Sequence, residues 1–250
     1  MSDPYGSAEL YDLEYSDMTE DLEHYVRLAR RYRFLLELGC GTGRLTLPMA
    51  RTGAGVHGID HSAQMLAGLE RRLRLERPQV RYRVQYQQGD FRSFDPPARY
   101  PLVIWPFNAL HHCTGPEDVV RVLDNVRDCL MPSGLLGMDC YLPDIELYDR
   151  DPNKRYEFRT FADPRTGEPL QSWEQGWWNA ETRVHHVLYV YRHADGREEK
   201  AHLQLRMFEL DELRALIRNA GWRIRSQASD FQGTPVTQKS LKWVAILDRR

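Results

Sequence analysis

The stretch that most constrains this chain is 34-FLLELGCGTGRLTLPMA-50. Phe34, Leu35 and Leu36 lead to Glu37, then to glycines at 39, 41 and 43, then to a helical pattern through Leu45, Leu47, Met49 and Ala50. A buried strand that turns through glycines into a helix is a ligand-binding turn. Glycine takes positive φ without strain and lets a ligand touch bare backbone, and the helix start offers N–H groups that lack intrahelical partners. The spacing Glu37-x-Gly39-x-Gly41-x-Gly43 is one residue tighter than the dinucleotide pattern G-x-G-x-x-G. A pyrophosphate at such a turn needs an anion site. An acid two residues before the first glycine argues instead for a ligand with a cationic group.

The flanking chain alternates strand and helix. An apolar stripe of Leu22, Tyr25, Val26, Leu28 and Ala29 predicts a helix over about 19–32, after a polar opening that carries Tyr5, Tyr11 and Tyr15. Strands are expected at about 33–38, 56–59, 80–88, 101–106 and 135–141. Helices are expected at about 42–52, 63–76, 116–130 and 210–220. Asp60 ends the second strand, where an acid can hold two vicinal ribose hydroxyls, and Ser62 can cap the helix that follows. Asp90 and Phe91 follow the third strand. Asn108, His111 and His112 follow the fourth, beyond the carboxyl edge where open α/β sheets bind ligands. A histidine there could take a proton, since its ordinary pKa lies near physiological pH, although one of two adjacent histidines is expected to pack. Neither His111-His112 nor His185-His186 reads as a metal site, because sequence neighbours in a strand point apart.

Five strands alternating with helices imply a parallel sheet covered on both faces. The pattern then changes. Residues 142–170 read as loop with short strand segments, and 171–207 as a β meander with an Asp195-Gly196 hairpin turn. The aromatics at its entry, Trp173, Trp177 and Trp178, suit an acceptor pocket or the segment's own core equally. Two closing strands, about 222–231 and 240–248, are joined too tightly to be parallel.

Composition adds bounds. With 250 residues the chain allows one large domain, or one with an insertion. A formal net charge of -2 gives no global electrostatic case for nucleic acid. The four cysteines, Cys40, Cys113, Cys129 and Cys140, lie in or beside apolar runs without a C-x-x-C pair, and read as buried thiols in a reducing compartment. No secretory signal and no apolar run of membrane-spanning length is visible, so a cytoplasmic protein is expected.

The E-x-G-x-G-x-G pattern resembles the first motif of class I S-adenosylmethionine (SAM) methyltransferases. ELGCGTG (37–43), GID (58–60), QQGDF (87–91), the strand 102–105 and PSGLL (132–136) come in that family's order, over about 1–141 and 208–250. The resemblance implies an α/β fold, a Rossmann-like seven-stranded class I methyltransferase sheet with a β-rich insertion after strand five. It implies a SAM-binding domain at 1–141 and 208–250, and an insertion at 142–207 that serves as lid, acceptor or oligomer region. SAM would be the methyl donor and S-adenosyl-L-homocysteine the product. By the same resemblance Glu37 meets the methionine amino group, and Gly39 and Gly41 pass the backbone beneath it. Asp60 holds the ribose, Asp90 and Phe91 flank adenine, Met65 lines it, and Cys40, Gly43, His61 and Phe107 complete the cofactor-binding set.

YDLEY (11–15), F-N-A-L-H-H (107–112), DCYLP (139–143) and the insertion look like the N,N-dimethyltransferases of nucleotide-linked amino sugars. That likeness implies that Tyr11 closes over SAM and that His112, with His111 as runner-up, faces the acceptor amine. Tyr15, Asn108, His112, Tyr141 and Trp177 would bind the acceptor, and Asn108 and Ala109 replace small hydroxyl residues. The expectation is methyl transfer to a small molecule, at nitrogen more than at oxygen, with no nucleic acid or membrane partner. The exposed insertion could pair subunits in a homo-oligomer. The rivals are an RNA or protein methyltransferase and a non-catalytic SAM-binding partner subunit.

Overall fold

The computed structural model describes residues 7–250, so Tyr5 lies outside the described residues. The chain divides into two compact units: 18–143 with 208–250, and 144–207 with the described residues up to Asp17.

In chain order the elements are α1 (Ala8–Glu14), α2 (Leu22–Tyr32), β1 (Phe34–Leu38), α3 (Thr46–Arg51), β2 (Gly55–Asp60), α4 (Ala63–Arg74), α5 (Pro78–Arg81) and β3 (Val84–Gln88). Then come β4 (Tyr100–Trp105), a 3-10 turn at Ala109–His112, α6 (Pro116–Cys129), β5 (Leu130–Tyr141), α7 (Ile145–Tyr148), β6 (Tyr156–Ala162), β7 (Pro169–Asn179), β8 (Val184–Arg192) and β9 (Glu198–Arg206). The chain ends with α8 (Leu210–Asn219), β10 (Trp222–Ala228) and β11 (Lys242–Arg249).

The larger unit holds a seven-stranded sheet in the order β10-β11-β5-β4-β1-β2-β3. β1 to β5 run parallel to one another. β11 runs antiparallel to both β5 and β10, so it alone is reversed and β10 points the same way as the first five. A sheet covered on both faces needs strands that are apolar throughout. Leu35, Leu36 and Leu38 of β1 and Leu102 to Trp105 of β4 are fully buried. One face carries the core of α6 and α8, with Val122, Leu123, Val126, Leu213, Ile217 and Trp222. The other carries α2 and α3, with Tyr25, Ala29, Met49 and Ala50.

Sequence order puts β2 and β3 on one side of β1, and β4 and β5 on the other. The strand order therefore reverses between β1 and β4. Ligands of open α/β sheets bind beyond the carboxyl ends of the strands at such a reversal.

Three sequence expectations are corrected here. Residues 80–81, expected to begin the third strand, belong instead to the helical turn α5 (Pro78–Arg81). Pro78 at its first position is pre-set for helix and lacks the N–H that would be unpaired there, and β3 is confined to 84–88. Pro132-Ser133-Gly134, which precede the fifth strand as expected at 135–141, lie inside β5 (Leu130–Tyr141). The register jumps from Leu130 opposite Tyr100 to Leu135 opposite Leu102, so these residues bulge from a continuous strand. The helix expected from about 42 starts at Thr46, because Gly41 and Gly43 have φ of +53° and +84°, outside the helical region.

The smaller unit holds an antiparallel sheet, β6-β7-β8-β9. Helix α1 was not read from the sequence, which left its residues with the first domain. Ser7 caps it, accepting from the Leu10 N–H at 3.2 Å, and Leu10 packs with Leu170, Tyr191 and Ala201 in this unit's core. Leu10→Ala should therefore destabilise the 144–207 segment by about 2–4 kcal/mol. Limited proteolysis would show faster cleavage within 144–207; an unchanged cleavage rate would mean that α1 does not support this sheet.

Candidate active site

The glycine turn is tied to the end of β2 by its own backbone. The N–H groups of Gly39 and Cys40 both donate to the Ile59 carbonyl, at 2.8 and 3.0 Å. The Gly41 N–H donates to Asp60 Oδ2 at 2.8 Å, and the Ser62 N–H to Asp60 Oδ1 at 2.9 Å. Gly39 has φ of +75°, and a Cβ there would lie 3.3 Å from the Cβ of Ala109, in the turn after β4. A Cβ on Gly43 would lie 2.4 Å from Leu69 Cδ1, in the packed contact of α4 with the turn. A Cβ on Gly41 would meet no atom within 4 Å, so a ligand can approach bare backbone at that point. On β2, Gly58 lies opposite Glu37 and has no room for a side chain, because Cys40 Sγ sits 2.7 Å from where its Cβ would be.

Glu37, the next-to-last residue of β1, has 1% of its surface exposed. The Thr46 hydroxyl, at the start of α3, donates to Glu37 Oε2 at 2.5 Å. Burial pushes the carboxyl from 4.5 up to about 8, against the lowering by Thr46 and Arg44. A buried acid of this kind gains most from a cationic partner.

Beyond β4 the backbone is strained. Phe107 and Asn108 both have left-handed φ, +53° and +61°, which costs a non-glycine residue of order 1 kcal/mol. Asp139 of β5 holds this turn: its Oδ1 accepts from the Phe107 N–H at 3.0 Å and from the Tyr25 hydroxyl at 2.5 Å. Asn108 Oδ1 accepts from the Tyr141 N–H at 2.6 Å. Burial raises the Asp139 carboxyl to about 6. Arg44 reaches the same turn from the glycine side, with its guanidinium 4.0 Å from the centre of the Phe107 ring. Both its terminal nitrogens bond the Asp21 carboxylate, at 2.7 and 2.5 Å.

The two histidines differ. His111 is buried, its Nε2 is 3.1 Å from the Tyr141 carbonyl oxygen, and its ring stacks 6.4 Å from Phe208. His112 is half-buried. Desolvation, and less so the charges of His61 and His111, lower its pKa to about 4, well below the near-neutral value expected from sequence.

The remaining expected residues fall as follows. Met65 is buried on α4, its N–H donating to the Ser62 hydroxyl at 3.1 Å. His61 lies 3.8 Å from the Asp60 carboxylate. Arg92 engages Asp90 with ion-pair contacts down to 2.6 Å, which holds that carboxyl below the usual range. Phe91 meets Trp105 edge-on at 5.6 Å. Burial pushes the Cys40 thiol up, so it is a packing group. In the smaller unit Tyr11 and Tyr15 lie 4.8 Å apart, and the Tyr15 hydroxyl is 3.1 Å from that of Tyr189. Trp177 stacks on His186 and His202, at 4.7 and 5.2 Å.

Residues 35–134 match the family model described as a methyltransferase domain. The chain carries a class I SAM-dependent methyltransferase domain. Cypemycin N-terminal methyltransferase from Streptomyces sp is 26% identical over 87% of this chain and 84% of its own length. The solved CcbJ methyltransferase of Streptomyces caelestis aligns at a TM-score of 0.75 and 22% identity, covering 92% of this chain and 90% of that one. The sugar N-methyltransferase KedS8 from Streptoalloteichus sp ATCC 53650 aligns at 0.71 and 19% identity, covering 96% and 92%.

The residues present fit SAM. The bare backbone at Gly41 gives access, Glu37 suits an ammonium group, and the carboxylate of Asp60 suits a diol. Sequence reasoning missed Arg44, Asp21, Tyr25 and Thr46, whose roles arise only from packing. Asp139 had been noted only within DCYLP. Its signal was present, one acid inside the apolar strand segment 135-LLGMDCY-141.

Gly43→Ala should destabilise the methyltransferase by about 2–4 kcal/mol, from positive-φ strain plus overpacking against Leu69. A fall of the thermal midpoint checks this; an unchanged midpoint would mean that Leu69 moves aside without cost.

Glu37 makes stability pH-dependent. Its folded pKa, about 8, lies above the ordinary 4.5, so its contribution is fully present below pH 4.5 and is lost as pH rises through 8. Between pH 6 and 8, above the Asp139 transition, ligand-free protein should lose roughly 1 kcal/mol per pH unit. Glu37→Gln should flatten that slope in urea titrations; the same slope in the variant would assign it elsewhere.

Proposed function

We propose that this methyltransferase moves the SAM methyl group to an amine nitrogen of a small-molecule acceptor, with His112 facing that nitrogen. The state of His112 carries the reading. It sits just past the carboxyl end of β4, and with a pKa of about 4 it stays neutral at working pH. A neutral imidazole accepts a hydrogen bond, but one with so low a pKa is a weak base for ionising a hydroxyl. A neutral amine brings its own lone pair and needs no base before transfer. An acceptor with a ready nucleophile therefore suits this turn.

When bound, SAM would supply a methyl group on a cationic sulfur: the amine lone pair would form the C–N bond as the C–S bond breaks to the thioether, and the resulting ammonium would release its proton to solvent. Glu37 would pair with the methionine ammonium, with the glycine turn beneath it. Asp60 would take the ribose hydroxyls, with His61 beside it. Met65, Asp90 and Phe91 would border adenine, and Phe107 would complete the cofactor side. His112 orients the acceptor N–H, and Asn108 and Tyr141 border the acceptor. Orientation and exclusion of water carry much of the rate.

The names of two similar proteins support nitrogen as the target, one naming an N-terminus and the other a sugar nitrogen. Against a nucleic-acid substrate, Arg214 pairs with Asp211 at 3.1 Å, and Arg223 and Arg225 with Asp248 at 2.7 and 4.0 Å. Asp211 and Asp248 balance two of these three positive charges, which leaves one for phosphates, too few to hold a nucleic acid backbone.

The test is single-turnover transfer of labelled methyl from SAM to matched amines and alcohols, including nucleotide-linked amino sugars and peptide N-termini. Label should appear on nitrogen. His112→Ala should lower the rate at saturating acceptor by about 10- to 100-fold. Transfer to hydroxyls alone, or a loss of many thousandfold in the variant, would contradict the proposal.

A further inference from the structure

Two turns flank the crevice at the reversal point of the sheet: the glycine turn after β1 and the Phe107–Asn108 turn after β4. The second turn is strained at two successive non-glycine residues, so something outside it must hold it there. Asp139, fully buried in β5, accepts the Phe107 N–H, and Tyr25 from α2 donates to the same oxygen. Asn108 binds the β5 backbone at Tyr141. Across the crevice Arg44, one residue past Gly43, lays its guanidinium on the Phe107 ring, and Asp21 fixes that guanidinium with two bonds. Close approach of the two turns is also visible at Gly39, where even a methyl group would crowd Ala109.

We infer that Asp139 is a positioning residue: it locks the strained turn after β4 against Arg44 and so sets the width of the crevice in which methyl transfer takes place. It touches no reacting atom. In-line displacement depends on a donor–acceptor distance held within a few tenths of an ångström, and one wall of that geometry is the turn carrying Asn108 and His112. Asp139 acts as a hydrogen-bond acceptor, and an amide oxygen in the same place would serve. The inference rests on the reading of this crevice as the site of transfer.

The direct readout is backbone hydrogen–deuterium exchange over residues 106–113, together with calorimetric SAM affinity; neither needs the acceptor. Asp139→Ala should speed exchange in that segment by about tenfold or more, since a bond holding Phe107 is gone, and weaken SAM by about tenfold. Asp139→Asn should stay within about threefold of wild type in both, since an acceptor oxygen remains. Asn108→Gly, which suits the left-handed φ while deleting the bond to Tyr141, should speed exchange by about tenfold. It decides the matter if Asp139→Ala does not fold. With any amine that accepts methyl, the single-turnover rate at saturating SAM should fall by about tenfold in Asp139→Ala and recover in Asp139→Asn. Unchanged exchange at 106–113 in both Asp139→Ala and Asn108→Gly would overturn the inference. So would an Asp139→Asn variant as impaired as Asp139→Ala, because a structural charge would then be the cause. If no amine accepts methyl, the functional proposal fails while the exchange result still judges Asp139.

Discussion

The carboxylate of Asp60 is the interaction on which the site depends. A turn of three glycines has little conformational preference of its own, and its N–H groups need partners once the core closes over them. Asp60 supplies one for Gly41 and one for Ser62, while the neighbouring Ile59 carbonyl takes Gly39 and Cys40. The end of β2 is thus a template on which the turn is folded. Because β1 and β2 are parallel and in register, the template stands where the glycines emerge. The start of α3, the cap of α4 and the exposed backbone at Gly41 all follow from that anchoring.

Three acids, Glu37, Asp60 and Asp139, are buried at the carboxyl side of a sheet that is otherwise apolar. Each is answered by directed donors: Thr46 for Glu37, backbone amides for Asp60, Tyr25 and the Phe107 amide for Asp139. Desolvation nevertheless leaves Glu37 and Asp139 with raised pKa values. A site that is locally short of positive charge suits SAM, which brings a sulfonium and an ammonium. The sheet supplies rigidity, its buried acids supply the local field, and the strained turn after β4 supplies the geometry.

Regular elements were legible where periodicity was strong and one-sided. β1, β2, β4 and the helices α4, α6 and α8 lie close to their expected positions, because continuous apolar runs and 3.6-residue stripes leave few alternatives. Failures came where local chemistry outweighed periodicity. Val80 looked like the start of a strand, yet Pro78 two residues earlier began a helical turn. Pro132-Ser133-Gly134 looked like a turn, yet the pairing of β4 with β5 carried the strand through it. Helix α1 is short and polar on one side, and only its packing through Leu10 into the smaller unit gives it a reason to exist.

The chain's sequence by itself determined the α/β class, the glycine turn, the acid at the end of β2 and the cationic character of the ligand. Those depend on residue types at fixed local spacings. Tertiary structure alone decided which of two adjacent histidines is packed and which stays half-exposed, since that depends on the Tyr141 carbonyl and the Phe208 ring arriving beside His111. It alone placed Arg44 over Phe107 and Asp139 under it. Those partners are separated by tens of residues, and only the order of strands in the sheet brings them to one crevice.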